Sequence, residues 1–193
     1  MKRRAVLATG ALSLVGLAGC LGDTEYRVTD ATVESSPGPL ALSVRITTPG
    51  AVIEHPADLE LTLTNQGERP VQIRSYGVWP FGALSLTTSS TSDENRLDVH
   101  LYSPAYEESD SVEVGPGRAS MRVDGEPLTR TLDAGASATT LYHLYGDDLS
   151  RPGTYYVVQT FDGNESEYST GNEWTTFDPR VAVTIEEVSQ LPL

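Results

Sequence analysis

The sequence predicts an all-β fold, an antiparallel two-sheet sandwich that follows a short N-terminal export segment. Three observations carry this expectation. Apolar and polar residues alternate with period two in one segment after another, each bounded by Gly, Pro, Asn or Asp. No stretch sustains the 3.6-residue period of a helix. The chain has 193 residues, 38% of them hydrophobic, enough for one core and hardly for two.

The first element is read as a signal peptide over residues 1–19. Lys2, Arg3 and Arg4 precede an uncharged stretch from Ala5 to Leu17, and the small residues Ala18 and Gly19 precede Cys20, the only cysteine. As a helix, that stretch would span only about 20 Å, against about 30 Å of hydrocarbon, so it directs export rather than spanning a bilayer. Arg3 and Arg4 suggest the twin-arginine route, with a generic basic start for the general secretory route as the alternative. Leu17-Ala18-Gly19-Cys20 resembles the lipobox of prokaryotic lipoproteins. Cleavage before Cys20 would leave a lipid on that residue as the contact with the membrane; the plainer reading is an ordinary thiol. With Cys20 lipidated, no thiol remains for a disulfide.

Residues 20–39 are read as the lipidated cysteine and a tether, ending in the breaker Ser35-Ser36-Pro37-Gly38-Pro39. Tyr26, Val28 and Val33 could place an edge strand within it. The sandwich domain proper is read over 40–193. Leu40, Leu42, Val44 and Ile46 alternate with Ala41, Ser43, Arg45 and Thr47. Leu59, Leu61 and Leu63 alternate next, and Val71 and Ile73 resume beyond Asn65-Gln66-Gly67-Glu68-Arg69-Pro70, which reads as a hairpin with a longer loop. Further strands are expected at 97–102, 128–132, 138–145, 154–161 and 181–188.

Near the last of these, Leu149, Gly153 and Tyr155 resemble the tyrosine corner of immunoglobulin-like sandwiches, in which a phenol bonds back to the turn backbone. Tyr155 fits that part better than Tyr156. The expected fold is therefore an immunoglobulin-like antiparallel β-sandwich. The series Leu59 to Asn65, Pro70-Val71, Leu132 to Ser137 and Pro152 to Tyr156 also resembles the small immunoglobulin-like domains of bacterial intracellular proteinase inhibitors. That resemblance covers about two thirds of the mature chain and rests on structural motifs, so it implies a fold and no inhibitory residue.

Charge narrows the function classes. The formal net charge is −14, and loss of residues 1–19 deepens it by three, leaving arginine as the only remaining base. Nothing resembles the basic footprint that nucleic acid requires. A lysine-free, acidic mature domain resembles proteins of salt-loving archaea. In molar salt the Debye length of about 3 Å screens self-repulsion. Together with the twin arginines and the lipobox, it resembles a haloarchaeal surface lipoprotein.

Local chemistry is sparse. His55, His100 and His143 lie far apart without metal-ligand spacing, so no metal and no cofactor is expected. No nucleophile elbow or phosphate loop is present. Glu107-Glu108, Asp147-Asp148 and Glu186-Glu187 read as solvated faces. Asp162, Asn164 and Ser166 have the alternate spacing of a calcium loop, but Glu167 stands where that loop needs glycine, so a hairpin turn fits better. Asn164-Glu165-Ser166 is also an N-glycosylation acceptor. Tyr76, Trp79 and Phe81, with Tyr102 and Tyr106 nearby, would form a sugar-stacking or protein-binding platform if exposed, or cap the core if buried. The expectation is a non-catalytic lipid-anchored binding or accessory module with an envelope protein as partner, or else a lipoprotein that captures a sugar or other small ligand.

Overall fold

The computed structural model describes residues 24–88, 98–177 and 179–188. Residues 1–19, read above as an export signal, and Cys20 lie outside the described residues, and with them Arg3 and Arg4. The strands run, in chain order, β1 Glu25–Val33, β2 Leu40–Thr48, β3 Gly50–Ala51, β4 Ala57–Asn65, β5 Val71–Ser75, β6 Leu84–Thr87 and β7 Asp98–His100. They continue as β8 Val112–Val114, β9 Met121–Val123, β10 Leu128–Leu132, β11 Ser137–Leu144, β12 Gly153–Gln159, β13 Ser166–Ser169, β14 Thr175–Phe177 and β15 Val181–Val188. Helical structure among the described residues is confined to 3-10 turns at Pro104–Tyr106, Pro116–Arg118 and Gly146–Asp148. None is long and apolar enough to cross a membrane.

Antiparallel pairing builds a six-stranded sheet ordered β3-β1-β15-β12-β6-β7, a three-stranded sheet β11-β4-β2 and a four-stranded sheet β10-β5-β13-β14, with β8 and β9 as a separate hairpin. β4 shows why the pattern works: Ala57, Leu59, Leu61, Leu63 and Asn65 all point inward, and their neighbours stay half-exposed. They meet Val181, Val183 and Ile185 of β15, Tyr155 and Val157 of β12, and Leu84 and Leu86 of β6 in one core. Tyr142 on β11 is fully buried and donates to the Gly82 carbonyl at 2.8 Å, tying the three-stranded sheet to the approach of β6. The molecule is thus an immunoglobulin-like all-β sandwich. The expected corner is present: the Tyr155 hydroxyl donates to the Arg151 carbonyl at 2.7 Å while its ring is buried.

Three sequence expectations change. β1 is not at an edge but lies between β3 and β15. A bulge between Val28 and Asp30 flips its parity, so that Tyr26 and Val28 face the core before it, and Ala31 and Val33 pack against the core after it. β4 and β5 do not form a hairpin, because they belong to different sheets. Asn65 directs the crossing: its amide Nδ2 donates to the carbonyls of Arg69 and Leu132 at 2.8 and 3.0 Å, and its Oδ1 accepts from the Gly67 amide at 2.9 Å. The Asn65 backbone also bonds Ala136 and Gly135. The β4–β5 and β10–β11 connections therefore cross side by side, locked by one buried amide. Finally, residues 160–165 join β12 to β13 across sheets rather than closing a hairpin.

Candidate functional site

The sandwich ends opposite Asn65 in a group of connections that carry several tyrosines. Tyr102 follows β7 and exchanges backbone hydrogen bonds with His143 at the end of β11. This pairing stacks their rings at 6.3 Å and 14°. Ser103 caps the 3-10 turn that follows, accepting from the Ala105 amide, and so folds Tyr106 back under Tyr102 with ring centroids 5.7 Å apart. Tyr145 completes the cluster 6.4 Å from Tyr102.

Above it stands the β8–β9 hairpin, which packs against Gly77: a Cβ there would come within 2.9 Å of Val112. Its tip, Gly115-Pro116-Gly117-Arg118, carries Arg118 into the cluster. The Arg118 Cζ lies 3.3 Å from the centroid of the Tyr145 ring. Among the described residues Arg118 is the only non-glycine with φ in the left-handed region, at 63°. That conformation costs roughly 1–2 kcal/mol for a residue with a Cβ. Its Nε is buried without an acceptor. Its Nη2 reaches both oxygens of Asp147 only at 3.4 Å, longer than a charge-assisted bond prefers.

Three hollows adjoin at Arg118. One, of about 660 Å³, is walled by Thr24, Tyr26, Val52, Ile53, Tyr145 and Asp147. A second, of about 530 Å³, is walled by Tyr102, Tyr106, Glu107, Val112 and Tyr145. The third, of about 130 Å³, reaches His100, Met121 and Asp148. Carboxylates line the rim. The Tyr102 hydroxyl donates to Glu107 at 2.7 Å, and this bond, with burial, pushes its pKa up to about 12. Asp148 is held above its ordinary value by partial burial and by Asp147, against the pull of Arg118 and His100. Aromatic faces, a cation with spare donors and carboxylate acceptors suit the holding of a polar partner.

The site expected from sequence is dispersed. Phe81 is fully buried, Trp79 is half-buried with its indole N–H donating to the Ile73 carbonyl at 3.2 Å, and Tyr76 is half-buried. Phe81 belongs to the core and Trp79 packs against it, while Tyr76 is half-buried outside it; Tyr102 and Tyr145 are half-buried too, but they line the hollows around Arg118. Asn164 is half-buried in the β12–β13 connection. Ser166 is turned inward, bonding the Phe81 carbonyl and Gln159, so it leaves the Asp162 and Asn164 spacing. Glu107, Glu108, Glu186 and Glu187 are exposed, as read from sequence.

His55 contacts the Pro56 carbonyl, His100 the Ser85 hydroxyl at 3.0 Å, and His143 the Asp58 carboxylate at 2.6 Å. The Ser85 and His100 pair is not a working nucleophile and base, because Ser85 is buried within β6 and its hydroxyl also engages Thr160. Among the described residues no three His, Asp or Glu side chains gather to hold a metal ion. Arg118 escaped the sequence reading: its Gly-Pro-Gly approach marks a turn, but nothing local announces that Tyr145 lies beneath it.

No curated protein matches the chain. The whole length, residues 1–193, matches one family model, and the chain belongs to the family described as Domain of unknown function (DUF8130).

Proposed function

We propose that this chain is a lipid-anchored, non-catalytic binding or accessory module on the outer face of the cytoplasmic membrane of a salt-adapted archaeal cell, held there by a lipid on Cys20. It recognises an envelope protein through the cleft around Arg118. The observation that carries this reading is the convergence of three hollows on one strained, under-partnered arginine stacked on a tyrosine. Backbone strain at a loop tip is retained where the surroundings impose it, and it clusters at binding sites. The acidic, lysine-free mature surface supports the salt-adapted setting.

The aromatic walls favour a second reading, capture of a sugar or other small polar ligand in the same cleft. Tyr102 and Tyr145 offer ring faces, and volumes of several hundred Å³ suit a small molecule.

The test is a pull-down of tagged protein from detergent-solubilised native membranes in molar salt, comparing wild type with Cys20→Ala and Arg118→Glu. A stoichiometric protein retained by wild type and lost with Arg118→Glu supports the accessory module. Recovery of the lipidated chain alone favours ligand capture, and an unlipidated wild type overturns the anchor. Turnover of a substrate by the purified chain would overturn the binding-only reading.

A further inference from the structure

The turn after β3 carries an isoleucine at its tip. Val52 and His55 pair across it, with the Val52 amide donating to the His55 carbonyl at 3.0 Å, so Ile53 and Glu54 form the tip. Hydrophobic residues are poor choices there, since neither turn geometry nor solvation favours them. Ile53 is 69% exposed and is the only exposed large hydrophobic among the described residues. The turn is held firmly. A Cβ on Gly146 would lie 2.4 Å from the Ala51 carbonyl oxygen, so the Tyr145-Gly146 backbone presses directly on β3.

Position supplies the occupant. Ile53 lines the same hollow as Thr24, the first described residue, and only four peptide units separate Thr24 from Cys20. Even fully extended, that link reaches about 14 Å. A lipid on Cys20 therefore keeps the Ile53 end beside the headgroups. Glu68, in the Asn65 crossing, sits at the far end of β4, whose nine residues span roughly 27 Å.

We infer that the Val52–His55 turn is a membrane-contact knob: Ile53 enters the headgroup layer and fixes the domain upright, with the Arg118 cleft opening beside the bilayer surface. This inference rests on the lipid-anchor reading. Its chemistry is interfacial burial of one aliphatic side chain, too weak to bind alone but sufficient to set orientation once the lipid supplies attachment.

The experiment uses the full chain, purified with its lipid and checked by mass spectrometry, on vesicles of phosphatidylcholine with a minority of phosphatidylglycerol in molar salt. Because Cys20 is the only native cysteine, Ile53→Cys and Glu68→Cys each present one free thiol for a polarity-sensitive dye. The dye at 53 is expected to shift to the blue, and nitroxide-headgroup lipids should quench it several-fold more than the dye at 68. Equal spectra and equal quenching at the two positions on a chain of confirmed lipid mass overturn the inference and leave the anchor standing. A chain that carries no lipid overturns both.

Discussion

The two ends of the sandwich solve opposite problems. At the Asn65 end, one buried amide uses both its donor and acceptor atoms on the backbone of two crossings, and the neighbouring amides of Gly135 and Asn65 are bonded as well. At the Arg118 end, a guanidinium sits on a left-handed backbone with one buried N–H unmatched and its carboxylate partner at arm's length. The first arrangement stabilises the fold. The second holds a left-handed backbone whose cost is offset only in part by the stack on Tyr145, the kind of local strain that clusters at binding sites.

Substitutions can break this contrast, beginning with the largest effect. Asn65→Ala leaves the buried Leu132 carbonyl, the part-buried Arg69 carbonyl and the Gly67 amide without their partner, and should destabilise the domain by about 3 kcal/mol, on the order of 10 °C in melting temperature. Thermal denaturation in molar salt measures it. A loss below about 1 kcal/mol would mean that the crossings hold without their amide. Tyr155→Phe keeps the buried ring and removes only the bond to Arg151, so the same assay should show a loss of about 1 kcal/mol.

Arg118→Gly should leave stability within about 0.5 kcal/mol of wild type, because relief of the left-handed strain offsets loss of the stack on Tyr145. The same variant should lose the partner or ligand in the pull-down. A destabilisation as large as that of Asn65→Ala would erase the distinction between the ends and make Arg118 structural.

The smallest effect concerns Asp148. Its carboxyl is held above its ordinary value in the folded state, so the ionised form weakens the fold; that weakening is absent at acid pH and grows as pH rises through the folded pKa. Asp148→Asn removes it. The variant should melt slightly higher than wild type at neutral pH, with the gap closing towards pH 4 and below. A variant that instead melts lower than wild type at neutral pH, with the deficit closing on acidification, would show that pairing with Arg118 outweighs burial.

Much of the framework was legible because period-two alternation survives wherever one face of a strand is covered. β2, β4, β10, β11 and β15 lie where alternation and turn residues place them, and Tyr155 was identifiable from the Gly153 spacing. The failures have specific causes. The bulge in β1 switches the inward parity between Val28 and Asp30, which weakens the pattern of a strand that is interior to its sheet. All four residues of β6 are buried, so Leu84–Thr87 shows no alternation in its environment. Short strands such as β8 and β9 hold too few residues to display a period.

The site was less legible than the fold. Tyr76, Trp79 and Phe81 lie close in sequence, yet the core takes Phe81 outright and leaves Tyr76 and Trp79 half-buried, because burying a bulky ring stabilises the fold more than displaying it. Tyr102, Arg118 and Tyr145 are separated by long stretches of chain, and only the pairing of Tyr102 with His143 and the folding of the β8–β9 hairpin bring them together.

Sequence alone determined the properties that follow from composition and local order: an acidic surface, an all-β pattern, the tyrosine corner and the layout of the first twenty residues. Tertiary structure decided which loops cross between sheets, which aromatics reach solvent, and that Ile53, Thr24 and Arg118 share one end. The physical reason is reach. Alternation and turn preference act over a few residues, whereas the cleft depends on backbone pairing between positions tens of residues apart, a contact that no local preference encodes.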